Sequence, residues 1–160
     1  MYYERQRGDM CRLHSLNAYF GFQKFNDNTF FNYCDEYDKE IVGLNSRSMD
    51  GFSEGRCIIN YIIDKTLNKY TLTIPINLFK NTRENIDLKR YNKLLKHFSN
   101  YFEFNKKHVW LNKKKNNEWW KLDSISGINR IDPVLKDNGY ILVFDNIHLL
   151  IREMDYYRNI

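Results

Sequence analysis

Residues 107–124 have the sequence KHVWLNKKKNNEWWKLDS, in which two strand-like runs flank a polar segment. The first run is Tyr101–Phe104 continuing into His108–Asn112, and the second is Glu118–Asp123. Both are rich in aromatic residues, which favour strands. The lysines and asparagines of Lys113–Asn117 are typical of a hairpin loop. We therefore predict two adjacent antiparallel strands that bring a histidine and an aspartate side by side.

Three helices are predicted on the N-terminal side of this hairpin. Apolar residues at near-helical spacing predict the first over Met10–Phe20, with Asp9 as its N-cap. The second is predicted over Asn28–Val42. The third follows Ser53, its predicted cap, and reaches Leu67. The N-terminal part of the chain is thus expected to be helical.

The hydrophobic pattern changes its period after the third helix. Tyr70–Ile76 alternates and contains β-branched residues, which predicts a strand, and Asn85–Phe98 again has helical spacing. A last strand is predicted over Tyr140–Phe144. Helices followed by a mostly antiparallel sheet indicate an α+β fold. We expect a single domain over residues 1–160, because the chain has the length of one domain.

Composition excludes several classes of protein. The 160 residues are 42% hydrophobic and 16% aromatic, which is enough for a core and too much for a disordered chain. No apolar run approaches the roughly 18 residues of a membrane span, and the N-terminus lacks the apolar stretch of a secretory signal. With three cysteines and no signal, we expect reduced thiols in the cytoplasm rather than a disulfide framework.

The net charge of +5 does not by itself indicate a nucleic-acid-binding protein. The chain is rich in Phe, Tyr, Ile, Asn and Lys and contains a single alanine, Ala18, so an AT-rich genome explains much of its lysine content. A binding surface for single-stranded nucleic acid would interleave exposed aromatic residues with lysines. Trp119 and Trp120 are neighbours on one predicted strand and point to opposite sides. We therefore expect no nucleic-acid partner.

The chain has no sequence motif for a metal ion or a nucleotide. Its four histidines and three cysteines form no CxxC motif, no HExxH motif and no paired Cys/His spacing. The phosphate-binding patterns GxxxxGK[ST] and GxGxxG are absent as well. We therefore expect neither a metal site nor an organic cofactor.

One of the three cysteines stands where thiol chemistry is favoured. Cys11 falls in the first turn of the first predicted helix, where the positive end of the helix dipole favours a thiolate. Cys34 and Cys57 fall inside the apolar faces of the second and third helices, so we interpret them as core residues. Gln6 precedes Cys11 by five residues and has a side-chain amide of the kind that donates to an oxyanion.

Cys11, His108 and Asp123 follow one another in the order found in papain-like thiol hydrolases, with Gln6 in front. An aspartate beside an imidazole fixes its tautomer and supports the imidazolium form. From the residues alone, a buried cysteine at a helix start and a histidine on a strand surface remain the structural alternatives.

Residues 2–21, YYERQRGDMCRLHSLNAYFG, resemble the first sequence block of the Josephin family of cysteine-type deubiquitinases. That block has the form [YF]-H-E-[RK]-Q, four residues, C, two residues, H-x-L-N-N. The matching positions are Glu4, Arg5, Gln6, Cys11, His14, Leu16 and Asn17. Residues 107–124 are similar to the second block of the family, a histidine followed by a hairpin and W-[YF]-N-L-[ND]-S. The resemblance extends over residues 2–144.

The resemblance implies a papain-like α+β fold of the Josephin type and hydrolysis of (iso)peptide bonds at the C-terminal glycine of ubiquitin or a ubiquitin-like protein. It assigns Cys11 as the nucleophile and His108 as the general base. Asp123 would orient His108, and Gln6 would supply the oxyanion hole. His14 matches a helix position that is not catalytic in the family. A monomer without a cofactor is expected, and the AT-rich composition suggests a virus, a parasite or an intracellular bacterium as its source.

Three other functions are compatible with parts of the sequence. A papain-clan peptidase that cuts after double-glycine leaders has the same order of Gln, Cys, His and Asp, but not the full first block. A non-catalytic ubiquitin-binding module would not need Cys11, His108 and Asp123 together. A basic nucleic-acid-binding module is the third. Val109 stands where the family commonly has a tryptophan, which alters the wall of the expected substrate channel.

Overall fold

The computed structural model describes residues 1–40, 58–75 and 88–144, together with His148 and Arg152. The helices in these ranges are α1 (Cys11–Phe20), α2 (Asp27–Glu40), α3 (Ile58–Leu67) and α4 (Leu88–Leu94), which continues as a 3₁₀ turn over Leu95–His97. The strands are β1 (Tyr70–Pro75), β2 (Asn100–Phe104), β3 (Val109–Lys115), β4 (Glu118–Asp123), β5 (Gly127–Ile131) and β6 (Gly139–Phe144). The predicted α+β class is confirmed. Ser53, the predicted cap of α3, and Cys57 lie outside the described residues.

The described strands form one sheet in the order β1-β6-β2-β3-β4-β5. All neighbouring pairs in it are antiparallel. The strand β6 follows the others in sequence but lies between β1 and β2, so the sheet cannot be completed until this segment is inserted. The β3–β4 hairpin lies between β2 and β5, so neither of its strands is an edge of this sheet.

The hairpin is tighter than predicted. Lys113–Lys115 pair with β4, and the turn consists of Asn116 and Asn117 alone. Both asparagines have positive φ, 54° and 64°, which is the pattern of a type I′ turn and suits asparagine. The predicted loop over residues 113–117 is therefore wrong in its length, because two asparagines suffice to reverse the chain and the lysines continue the strand.

Three further expectations about secondary structure need correction. Asp9 does not cap α1: the N-cap position is Met10, and no side chain makes a capping hydrogen bond there. The run predicted to continue from Tyr101 to Asn112 is two strands, β2 and β3, which fold back on each other. The strand Gly127–Ile131 is missing from the predictions because three of its five residues are exposed, so it lacks a hydrophobic pattern.

Two hydrophobic clusters cover the two faces of the sheet. The cluster under α1, α2 and α3 includes Phe102, Phe104, Val109, Leu111, Ile141 and Val143. The opposite cluster includes Leu95, Phe98, Tyr101, Tyr140, Leu142 and Phe144. Trp119 belongs to the second cluster and Trp120 packs against the first, which confirms that they point to opposite sides. None of the described helices is both long and apolar enough to cross a membrane.

Candidate active site

The first helix brings Cys11 to the sheet. Cys11 begins α1, and this helix packs against β3. Only 2% of Cys11 is exposed, and it belongs to the cluster on the helical side of the sheet. Cys34 of α2 is fully buried in the same cluster, which confirms its interpretation as a core residue. Among the cysteines that the structure describes, Cys11 is therefore the one at a helix start beside the sheet.

A turn built on Asn105 positions His108. The side-chain oxygen of Asn105 accepts hydrogen bonds from the backbone N–H groups of Lys107 and His108, both at 2.9 Å. The N–H of Asn105 in turn donates to the His108 carbonyl at 3.0 Å. These three bonds close the connection between β2 and β3 and fix the backbone of His108 directly before β3.

The register of the hairpin places Asp123 beside His108. Leu111 of β3 pairs with Leu122 of β4, so the start of β3 lies next to the end of β4. Nε2 of His108 is 2.6 Å from Oδ1 of Asp123, and their side chains are only 13% and 5% exposed. The N–H of Ile125 donates to the same oxygen at 2.8 Å. The structure thus brings together the histidine and the aspartate that the sequence predicts to be neighbours.

Cys11 completes the row of side chains. The thiol of Cys11 lies close enough to His108 to help raise the pKa of the imidazole by hydrogen bonding. Since Nε2 of the imidazole faces Asp123, Nδ1 is the ring nitrogen that remains for the thiol. A thiol, an imidazole and a carboxylate linked in this order can activate a nucleophile and hold the imidazole in one tautomer.

The electrostatics of the pair favour the charged forms of both groups. The hydrogen bond to Asp123, followed by the one to Cys11, raises the pKa of His108 from its ordinary 6.5 to about 9, although partial burial opposes this. Burial alone would raise the pKa of Asp123, but the hydrogen bonds from His108 and from the N–H of Ile125 hold it well below its usual range. At neutral pH the pair is an imidazolium and a carboxylate.

Gln6 is tied to the residue that follows the aspartate. Its N–H donates to the Ser124 carbonyl at 2.7 Å, and the Ser124 hydroxyl donates to the Gln6 side-chain oxygen. The amide nitrogen Nε2 donates to the Gly8 carbonyl at 2.7 Å. The hydrogen bond from Ser124 fixes which end of the Gln6 amide is the oxygen. The NH₂ group at the other end is therefore the available donor. The sequence gives no role to Ser124 beyond its place in the second block; its effect on Gln6 depends on a contact across 118 positions of chain.

His14 lies in a separate polar network. Its Nδ1 is 2.9 Å from Oε1 of Glu4, and its Nε2 accepts from the N–H of Arg7 at 3.3 Å. Asn17 donates to Oε1 of Glu4 at 3.0 Å, and the Tyr2 hydroxyl donates to Oε2. Burial would raise the pKa of Glu4, but these hydrogen bonds lower it. The network ties the N-terminal segment to α1.

The described part of the chain holds no group of three or more His, Cys, Asp and Glu side chains that could bind a metal ion. No family model matches the chain, and no curated protein matches it either.

We predict that His108 titrates near pH 9 in the folded chain, because Asp123 and Cys11 favour its imidazolium form. The stabilisation that His108 gives the fold is then complete below pH 6.5 and is lost as the pH rises through about 9. NMR titration of the ring resonances measures this value. Asp123→Ala should move the titration of His108 downwards. A wild-type titration near 6.5 would contradict the coupling.

Proposed function

We propose that this chain is a cysteine-type deubiquitinase with a papain-like fold of the Josephin type. Its reaction is the hydrolysis of (iso)peptide bonds at the C-terminal glycine of ubiquitin or a ubiquitin-like protein. The observation that carries the proposal is the row formed by Cys11, His108 and Asp123, in which His108 Nε2 is 2.6 Å from Asp123 Oδ1. The anchoring of Gln6 on the residue after Asp123 supports it.

In the acylation step, the thiolate of Cys11 attacks the carbonyl carbon of the terminal glycine of ubiquitin. The carbon–nitrogen bond to the substrate lysine then breaks, and His108 gives its Nδ1 proton to the departing amine. Asp123 holds the other ring nitrogen as a donor, so Nδ1 is the atom that exchanges the proton. The products are a free lysine and a thioester on Cys11.

The oxyanion that forms in this step is stabilised by two N–H donors, the Gln6 side chain and the backbone of Cys11. The Gln6 amide nitrogen has two hydrogens, of which the Gly8 carbonyl accepts one, so a second remains for the oxyanion. In the deacylation step, His108 takes a proton from water, and the hydroxide attacks the thioester. Ubiquitin leaves with a free carboxylate, and the thiol of Cys11 is restored.

Ubiquitin is proposed as the substrate because residues 2–21 and 107–124 resemble the two sequence blocks of the Josephin family. Val109 stands where the family commonly has a tryptophan, and this side chain is buried in the core. The aromatic ring beside the imidazole is that of Trp110 instead, with ring centroids 5.8 Å apart. A buried indole next to His108 limits the access of water to the His108–Asp123 bond.

The structure bears differently on the three alternatives. The contact of His108 with both Cys11 and Asp123 has no purpose in a module that only binds ubiquitin. Trp119 is buried and Trp120 is half-buried, which leaves no aromatic ladder for nucleic acid on this strand. A peptidase for double-glycine leaders would use the same catalytic row, so it is separated from a deubiquitinase by its substrate alone.

We predict that Cys11→Ala reduces the hydrolysis of a ubiquitin C-terminal aminocoumarin amide by at least about 10³-fold, because no second thiol stands next to His108 among the described residues. Release of the fluorophore measures the rate. Cys34→Ala is the matched control, since it removes a buried thiol away from His108 and should retain turnover. Wild-type cleavage of a double-glycine leader peptide, with no cleavage of the ubiquitin amide, would overturn the ubiquitin assignment in favour of the leader peptidase.

A second prediction separates the two histidines near α1. His108→Ala should lower turnover by about 10²–10⁴-fold, because it removes the general base, and it should also lower the melting temperature, because the buried Asp123 carboxylate loses its partner. His14→Ala should act mainly on stability, because it removes the bracing of the N-terminal segment by Glu4 and Arg7. Melting curves and single-turnover rates of both variants test this. Loss of turnover with unchanged melting in His14→Ala, together with an active His108→Ala, would reverse the assignment of the base.

A further inference from the structure

The carboxylate of Asp123 has a second charged neighbour besides His108. Nζ of Lys121, two residues earlier on β4, is 3.4 Å from Oδ2 of Asp123. Oδ1 is occupied by His108 and by the N–H of Ile125. The two oxygens therefore have different partners, an imidazole and a backbone amide on one side and an ammonium group on the other.

Lys121 is held in this position by an aromatic ring. Its Nζ lies 4.4 Å from the ring centroid of Trp110, a distance at which a cation is attracted to the face of an indole. Trp110 is 7% exposed and also lies against the His108 ring, with an interplanar angle of 32°. One tryptophan thus contacts the imidazole and the ammonium group that share the Asp123 carboxylate. The lysine side chain itself is 29% exposed.

We infer that Lys121 is a positioning residue of the active site whose ammonium group occupies Oδ2 of Asp123, offsets part of the carboxylate charge that acts on His108, and makes an ionised carboxylate, and not a carboxamide, the required group at position 123. This inference rests on the proposed function only for its effect on turnover. The geometry that it describes involves Asp123, His108, Lys121 and Trp110 and is independent of the substrate.

Three donors face the side chain at position 123: Nε2 of His108, the N–H of Ile125 and Nζ of Lys121. A carboxylate can accept from all three. In an Asp123→Asn variant, the amide oxygen would have to face His108 and the N–H of Ile125, which turns the NH₂ group towards the ammonium of Lys121. An amide NH₂ has no acceptor to offer a cation. Rotating the amide by 180° satisfies Lys121 but points NH₂ at Nε2 of His108. That orientation demands an unprotonated Nε2 and moves the proton to Nδ1, so the neutral imidazole could no longer act as the base towards Cys11.

The ammonium group of Lys121 weakens the field that the Asp123 carboxylate exerts at His108. The ionisable side chains that act on His108 and Asp123 in the described structure are Cys11 from α1, and His108, Asp123 and Lys121 themselves. Lys121 lowers the pKa of Asp123 and offsets part of its negative charge. Removing this ammonium leaves a stronger field of the carboxylate at His108, so the imidazolium becomes more stable. A site that merely loosened would move the His108 titration in the opposite direction, towards 6.5.

The first test is the NMR titration of His108 in the wild-type chain and in Lys121→Met. We expect the pKa of His108 to rise in the variant. Lys115→Met is the matched control, because it removes the same charge from an exposed position of β3 that pairs with Glu118. It should leave the titration unchanged. A fall, or a shift below about 0.2 pH unit in Lys121→Met, overturns the inference, since neighbouring charges at this distance shift pKa values measurably. This readout requires no substrate.

The second test is a rescue experiment. We expect Asp123→Asn alone to lose about 10²–10³-fold in turnover of the ubiquitin aminocoumarin amide. Adding Lys121→Gln replaces the cation by an amide oxygen that accepts from the new NH₂ group, and the double variant should regain at least about tenfold. A double variant no faster than Asp123→Asn contradicts the inference. A wild-type chain that leaves ubiquitin uncleaved contradicts the proposed function instead, and the titration then still decides on Lys121.

Discussion

The hydrogen bond between His108 and Asp123, 2.6 Å long and almost completely buried, is the interaction on which the site depends. Two features of the backbone make it: the Asn105 turn fixes His108 before β3, and the pairing of Leu111 with Leu122 fixes the end of β4 next to it. The other residues of the site, Cys11 and Gln6, belong to segments that pack against this pair. Cys11 lies at the start of α1, and the N-terminal segment is joined to the site by the hydrogen bonds between Gln6 and Ser124.

Several parts of this arrangement could be predicted from sequence because their causes are local. The period of the apolar residues is sufficient to find α1 and the hairpin strands, and the two strands determine that His108 and Asp123 are neighbours. The interpretation of Cys34 as a core residue follows from the same spacing on α2. The α+β class depends on the order of such elements, which sequence patterns give well.

Other parts could not be predicted because they depend on contacts between distant segments. The turn at residues 105–108 depends on which backbone groups the Asn105 side chain accepts from, and β5 has no hydrophobic pattern because it is mostly exposed. Ser124 bonds to Gln6, and Lys121 forms an ion pair with Asp123, although each has many other polar side chains in the sequence as possible partners. A sequence identifies such groups as polar but does not specify their partners.

The proposed function requires Cys11 to be a thiol activated for attack on the C-terminus of ubiquitin. Incubation with a ubiquitin probe that ends in an electrophile, followed by peptide mapping of the adduct, tests this directly. We expect a single covalent adduct on Sγ of Cys11 that is formed by the wild-type chain and is strongly reduced in His108→Ala. An adduct on Cys34 or Cys57, or labelling of Cys11 at the same rate without His108, would contradict it.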